Sequence, residues 1–207
     1  MNELIEGGLT TVVGVLGTDC ISRSLENLVV KCRALNDEGI SAFMWTGAYR
    51  LPCPTVTGTI RRDIVLIEQC IGAGEIAISD HRGTQPDINV ISDAASDCRV
   101  GGILAGKAGV MYCHIGTGDT LLNPLWDVIK QTHVPIQTFL PTHMERSEAL
   151  IEDGAKWVKE GGYVVRYHLT PQARPLPFQL PSFVDACPVF AFVICISCVP
   201  LSPAGCH

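Results

Sequence analysis

The chain has 207 residues and a formal charge of -6, with 15 basic side chains set against 21 acidic ones. That length supports one sizeable core, and the absence of any basic cluster argues against nucleic acid as a partner. Aromatic residues make up only 6% while glycine reaches 20, a balance that suits an α/β fold with tight turns.

Asn2 to Gly7 reads as the tail of a helix stopped by Gly7 and Gly8. Residues 9–16 form a β-branched strand with Gly17, Thr18 and Asp19 as its polar exit. A helix is predicted over 24–36, because Leu25, Leu28, Val29, Cys32 and Leu35 recur on one side. Residues 40–45 are the next strand, with Thr46 to Tyr49 as its exit, and Pro52, Pro54 and Gly58 mark a loop. A helix over 61–71 leads to a strand through Glu75 that ends in Asp80, His81 and Arg82. Helix 88–100 follows, then a glycine-rich turn region over 101–109 and the strand ending at His114. Helix 120–130, the strand ending at His143, helix 146–160 with Gly161 as its stop, and a strand over 163–167 complete the pattern.

This alternation predicts a parallel sheet of six strands. Six are too few to close an eight-stranded barrel, so an open doubly wound sheet stands as the alternative. After Tyr167 the periodicity stops. Residues 168–181 carry four prolines, and 188–200 are an apolar run too short to span a membrane. Cys195, Cys198, Cys206 and His207 have the residue types of a zinc or redox site, yet the surroundings are an apolar string rather than a turn-rich knuckle. The first six cysteines are scattered singly and read as reduced thiols of a cytoplasmic protein. The start of the chain has no apolar core of a secretory leader.

Three strands end alike. The Glu75 strand closes on a polar burst, and the next two end at His114 and His143. Parallel strands deliver their C-terminal ends to one rim, so a carboxylate and two imidazoles would converge there as a metal ligand set. Arg82 and Arg146 could each grip a carboxylate with a planar fork, or serve as solvated loop residues or salt-bridge partners. Tyr49 could donate to a polarised carbonyl oxygen, or simply pack. His133 reads as a turn residue. Residues 101–108 approach a phosphate loop but fail it: Ala108 stands where a hydroxyl is needed, and the preceding segment reads as helix rather than strand.

The strings Thr11–Asp19, Ala34–Ala42, Thr46–Tyr49, Ala77–Arg82 and Leu140–His143 together resemble the isoaspartyl dipeptidase family of metal-dependent amidohydrolases, nearly collinearly over residues 5–163. The resemblance implies a partial (β/α)8 TIM barrel, lacking the first and last strands, over residues 1–167, with an irregular tail over 168–207. It implies zinc-dependent hydrolysis of the isopeptide bond of beta-aspartyl dipeptides, in a centre that holds two zinc ions in the complete family enzyme. Glu75 matches the bridging position, usually a carboxylated lysine, and His114 and His143 match metal-binding histidines. Tyr49 matches the tyrosine that polarises the scissile carbonyl, Arg82 and Arg146 the arginines that hold the substrate carboxylate, and Thr18 a loop lining the substrate site. A small dipeptide is the implied partner, with homo-oligomers the family habit and neither nucleic acid nor membrane involved. The family's His-x-His pair and its strand-eight aspartate have no counterpart in the sequence. The alternative expectation is therefore a catalytically inactive fragment or remnant of such an enzyme.

Overall fold

Five parallel strands lie side by side in the order in which the chain makes them. They are β1 (Thr11–Gly14), β2 (Ser41–Thr46), β3 (Cys70–Ile78), β4 (Val110–Ile115) and β5 (Phe139–Thr142). The computed structural model describes residues 2–165, and the tail with its cysteines lies outside the described residues. Strictly sequential order decides between the two expected architectures. A doubly wound sheet reverses direction at a switch point, whereas right-handed crossovers that never reverse place every helix on one face and curl the sheet toward a barrel. The result is an open half-barrel, consistent with a partial (β/α)8 fold.

The two faces divide the core. Val12, Ala42, Met44, Ile76, Met111, Cys113 and Phe139 pack outward against helices α2 (Leu25–Asp37), α3 (Ile60–Leu66), α4 (Ile88–Ala105), α5 (Asn123–Gln131) and α6 (Glu148–Lys159). A smaller set, Val13, Val15, Trp45, Tyr112 and Val165, occupies the other face, with Trp45 and Tyr112 stacked at 5.6 Å. A short α1 (Asn2–Glu6) precedes β1. Ser24, Thr59, Asp87 and Ser147 each accept a backbone N–H at a helix start, caps worth about 1 kcal/mol apiece. No helix among the described residues is long and apolar enough to cross a membrane.

The ends of α3 and α4 differ from the sequence reading. Helix α3 stops at Leu66, and residues expected to extend it instead begin β3 at Cys70. Helix α4 runs on through Gly101 and Gly102 to Ala105, where a turn was expected. The glycines are there for contact rather than for turning. A Cβ on Gly101 would meet Ile64 Cβ at 3.0 Å, and one on Gly102 would meet Gly109 Cα at 2.6 Å. The turn comes later, at Gly106, which takes φ 64° as the helix stop. Lys107, the lysine of the discarded phosphate-loop reading, donates from Nζ to Ile64 O (2.6 Å) in the last turn of α3 and to Ile67 O (2.7 Å) at its C-cap. The expected sixth strand is described only to residue 165. There Val165 N donates to Pro141 O at 2.8 Å alongside β5.

Candidate metal and substrate site

The C-terminal rim of the sheet gathers polar groups that the rest of the core excludes. Glu75 arrives through a break in register. Gly74 faces Tyr112 and Ile76 faces Cys113, so Glu75 is an extra residue with no partner across the ladder. Such a bulge re-aims a side chain that regular pleating would have placed elsewhere. His114 sits one residue before the end of β4 and pairs in register with Ala77 and Thr142. His143 follows β5 directly, in a left-handed conformation (φ 67°) that starts a single 3-10 turn, Met144–Arg146.

These three side chains meet. Glu75 Oε1 lies 3.2 Å from His114 Nδ1 and 3.0 Å from His143 Nε2. The three ligand atoms fall within 4.8 Å of one another, and Glu75 and His114 are buried. Zinc held at 2.0–2.1 Å by tetrahedral N and O ligands sets neighbouring ligand atoms roughly 3.3 Å apart. Two of the separations found are within a few tenths of that edge, so the donor set fits a zinc-type ion with little rearrangement. Burial works against ionisation of Glu75, but the hydrogen bonds and positive charge of the two histidines outweigh it and hold the carboxyl at about 2. The carboxylate is thus ready to act as a ligand at neutral pH.

Tyr49 comes from the loop after β2. Its hydroxyl lies 2.8 Å from His114 Nδ1, and the two rings sit 4.5 Å apart. Burial and the nearby Glu75 charge push its phenol up, so it stays a proton donor. Arg82 crosses the Tyr49 ring at 5.3 Å, and its Nη2 lies 3.1 Å from His114 Nε2. Arg146 reaches the same nitrogen at 3.3 Å while Nη1 donates to Ile115 O at 2.8 Å. Tyr49, Glu75, Arg82, His114, His143 and Arg146, chosen from six separate points of the sequence, therefore share one rim. Thr18 is set differently: it is exposed, one residue past Gly17, where a Cβ would stand 3.7 Å from Glu75 Oε2. His81 is exposed, 3.7 Å from Asp80, and His133 is exposed on its turn.

One residue escaped the sequence reading. Asp80 is 2% exposed and accepts Arg82 Nε at 2.9 Å and Nη2 at 2.8 Å as a two-pronged pair. It also stands 3.0 Å from His114 Nε2 and 3.9 Å from Arg146 Nη1. The hydrogen bonds from Arg82 hold its carboxyl well below the usual carboxylate range. Its only signal in the sequence was its place at the head of the polar triplet after β3. Gly116 makes the position possible, because a Cβ there would meet Asp80 Cα at 2.5 Å.

No protein-family model matches the chain. Solved structures do. A crystal structure of beta-aspartyl dipeptidase from the thermophilic, keratin-degrading Fervidobacterium islandicum AW-1, in complex with beta-Asp-Leu dipeptide, is 50% identical, with a TM-score of 0.80 over 83% of this chain. A second crystal structure of that organism's enzyme is 48% identical, with a TM-score of 0.81 over 89% of this chain. The matches cover 46% and 49% of those two chains, so the present chain spans about half their length.

Proposed function

Because the chain belongs to the beta-aspartyl dipeptidase family of metal-dependent amidohydrolases, we propose that its rim serves the hydrolysis of the isopeptide bond in beta-aspartyl dipeptides. The observation that carries this reading is the convergence of Glu75, His114 and His143 at metal-ligand separations. These three would hold the ion. A bound zinc supplies Lewis acidity, polarising a carbonyl and lowering the pKa of water.

The chain's own residues then have distinct tasks. Arg82 and Arg146 present guanidinium forks to the free carboxylate of the dipeptide and fix its register. Tyr49, kept protonated, donates toward the carbonyl oxygen of the scissile amide as charge develops there. Thr18, on the turn beside Gly17, borders the space the substrate would fill. We assign the incomplete amidohydrolase barrel domain to residues 1–167.

A second reading is metal binding without turnover. It is favoured by the single three-residue ligand cluster among the described residues, since the family centre holds two ions. One experiment separates the two. The full chain is loaded with zinc, its stoichiometry is measured, and hydrolysis of beta-Asp-Leu is followed. Zinc binding with turnover supports the dipeptidase. Zinc binding without turnover supports the second reading, and failure to bind zinc overturns both.

A further inference from the structure

Behind the rim lies a carboxylate that the proposed chemistry does not touch. Asp63, in the first turn of α3, is 0% exposed. Its Oδ2 accepts the Thr46 hydroxyl at 2.5 Å and the Val56 N–H at 2.9 Å. Its Oδ1 accepts the Thr57 N–H at 2.7 Å and the Thr57 hydroxyl at 2.6 Å. Thr46 is the last residue of β2, and Thr57 comes two residues before Thr59, the cap of α3. Asp63 therefore grips both ends of the connection from β2 to α3, and Tyr49 rides on that connection. The run in its middle, residues 50–55, is neither helix nor strand. The connection also folds back on itself: Gly47 takes φ 105°, and a Cβ there would meet Cys53 Sγ at 2.9 Å. Tyr49 itself is tied to both neighbouring segments, its N–H donating to Gly17 O at 3.2 Å and its carbonyl accepting Ala77 N–H at 3.0 Å.

We propose that Asp63 is a positioning residue: by tying Thr46 to Val56 and Thr57 it sets the β2–α3 connection, and through it the place of the Tyr49 hydroxyl at the rim. The grip demands a carboxylate. Val56 and Thr57 each bring a backbone N–H, and the two go to different oxygens, so both oxygens must accept. An asparagine offers one acceptor oxygen. Whichever way its amide is turned, the NH2 group meets one of those N–H donors head on, and a buried N–H without an acceptor is costly. Placement matters at Tyr49 because a misplacement of about 1 Å, caused by a change far from the chemistry, can cost roughly 100-fold in rate. Asp63 touches none of the rim groups, yet it fixes the loop that delivers one of them. The consequence for turnover rests on the function proposed above, whereas the placing of the Tyr49 ring does not.

The test begins with the metal-free full chain carrying tyrosine labelled with 13C at Cζ. Its four tyrosines give four lines, and the Tyr49 line is assigned by its loss in Tyr49→Phe. Asp63→Asn is expected to shift or split that line. Asp153→Asn is the control: it weakens another buried carboxylate, one that accepts Leu122 N–H and Trp126 Nε1–H between α5 and α6, and should lower the urea midpoint with the Tyr49 line in place. In a chain that turns over beta-Asp-Leu, Asp63→Asn should lower kcat about 10–100-fold with KM and zinc stoichiometry unchanged. Added to Tyr49→Phe, it should cause no further loss, because the two act through one hydroxyl. Thr57→Val removes a single hydroxyl at the far end of the connection, should move the Tyr49 line by less, and decides where Asp63→Asn does not fold. A Tyr49 line that stays in place in these folded variants overturns the proposal, as does one that moves as far in Asp153→Asn, or a kcat loss of equal size with and without the Tyr49 hydroxyl. A parent that does not turn over beta-Asp-Leu counts against the dipeptidase reading and leaves the Tyr49 line to judge Asp63.

Discussion

At the scale of single residues, the site works by setting opposing effects against each other. Glu75 is nearly removed from water, which alone would favour its neutral form, yet the two histidines reverse the balance. Its carboxyl ionises near 4.5 when unfolded and at about 2 when folded. The stabilisation it brings is therefore complete above pH 4.5 and is lost as pH falls toward 2. Urea midpoints of the metal-free protein should drop through that window, and Glu75→Gln should flatten the drop while also abolishing zinc binding. Tyr49 is the other decisive side chain. Tyr49→Phe removes one hydroxyl from a buried ring and leaves the ion's ligands in place. In a chain that turns over beta-Asp-Leu, it should lower kcat about 100-fold with zinc stoichiometry unchanged, as steady-state kinetics on the loaded protein would report.

At the scale of elements, small residues let helices and strands approach where function needs them. Helix α4 tolerates Gly101 and Gly102 because those positions press on Ile64 and Gly109. Isolated helix propensity would favour alanine by about 1 kcal/mol, but overpacking a close contact costs about 1–3 kcal/mol. Gly102→Ala is expected to be destabilising on balance, by about 1 kcal/mol or more, read from the urea midpoint. The extra residue at Glu75 is a comparable device in a strand. Without the shift between Gly74 and Ile76, the pleat of β3 would not carry its carboxylate to the side on which His114 and His143 stand. Gly116, packed on Asp80, brings the exits of β3 and β4 together at the same rim.

At the scale of the whole molecule, a ligand set drawn from β3, β4 and β5 ties three neighbouring strands together. An ion bound there stabilises the folded state by mass action, by about 2.7 kcal/mol when its free concentration is 100 times Kd. For a chain of this size that raises Tm by roughly 5–10 °C. Differential scanning calorimetry should record the rise on adding zinc and its reversal with EDTA, and Glu75→Gln should show neither. The half-barrel also leaves β1 and β5 as the outer strands of the described sheet. Their ladder groups are the places where further chain would pair.

Alternation of apolar strands with amphipathic helices was legible in the sequence, because periodicity is a local property written in each segment. So was the convergence of the strands that carry Glu75, His114 and His143, since parallel strands deliver their C-terminal ends to one rim, whereas the bulge that turns Glu75 toward it from inside β3 was not. Boundaries such as the end of α3 and the run of α4 through its glycines were not, because contacts with Ile64 and Gly109, distant in sequence, override local preference. Asp80 was hidden for the same reason. A carboxylate next to His81 and Arg82 looks like any polar turn until folding buries it among His114, Arg82 and Arg146. The residue types of the site belong to the sequence. Which nitrogen faces which oxygen, and which charge answers which, was decided only when five strands were set in order and the groups they carry were withdrawn together from water.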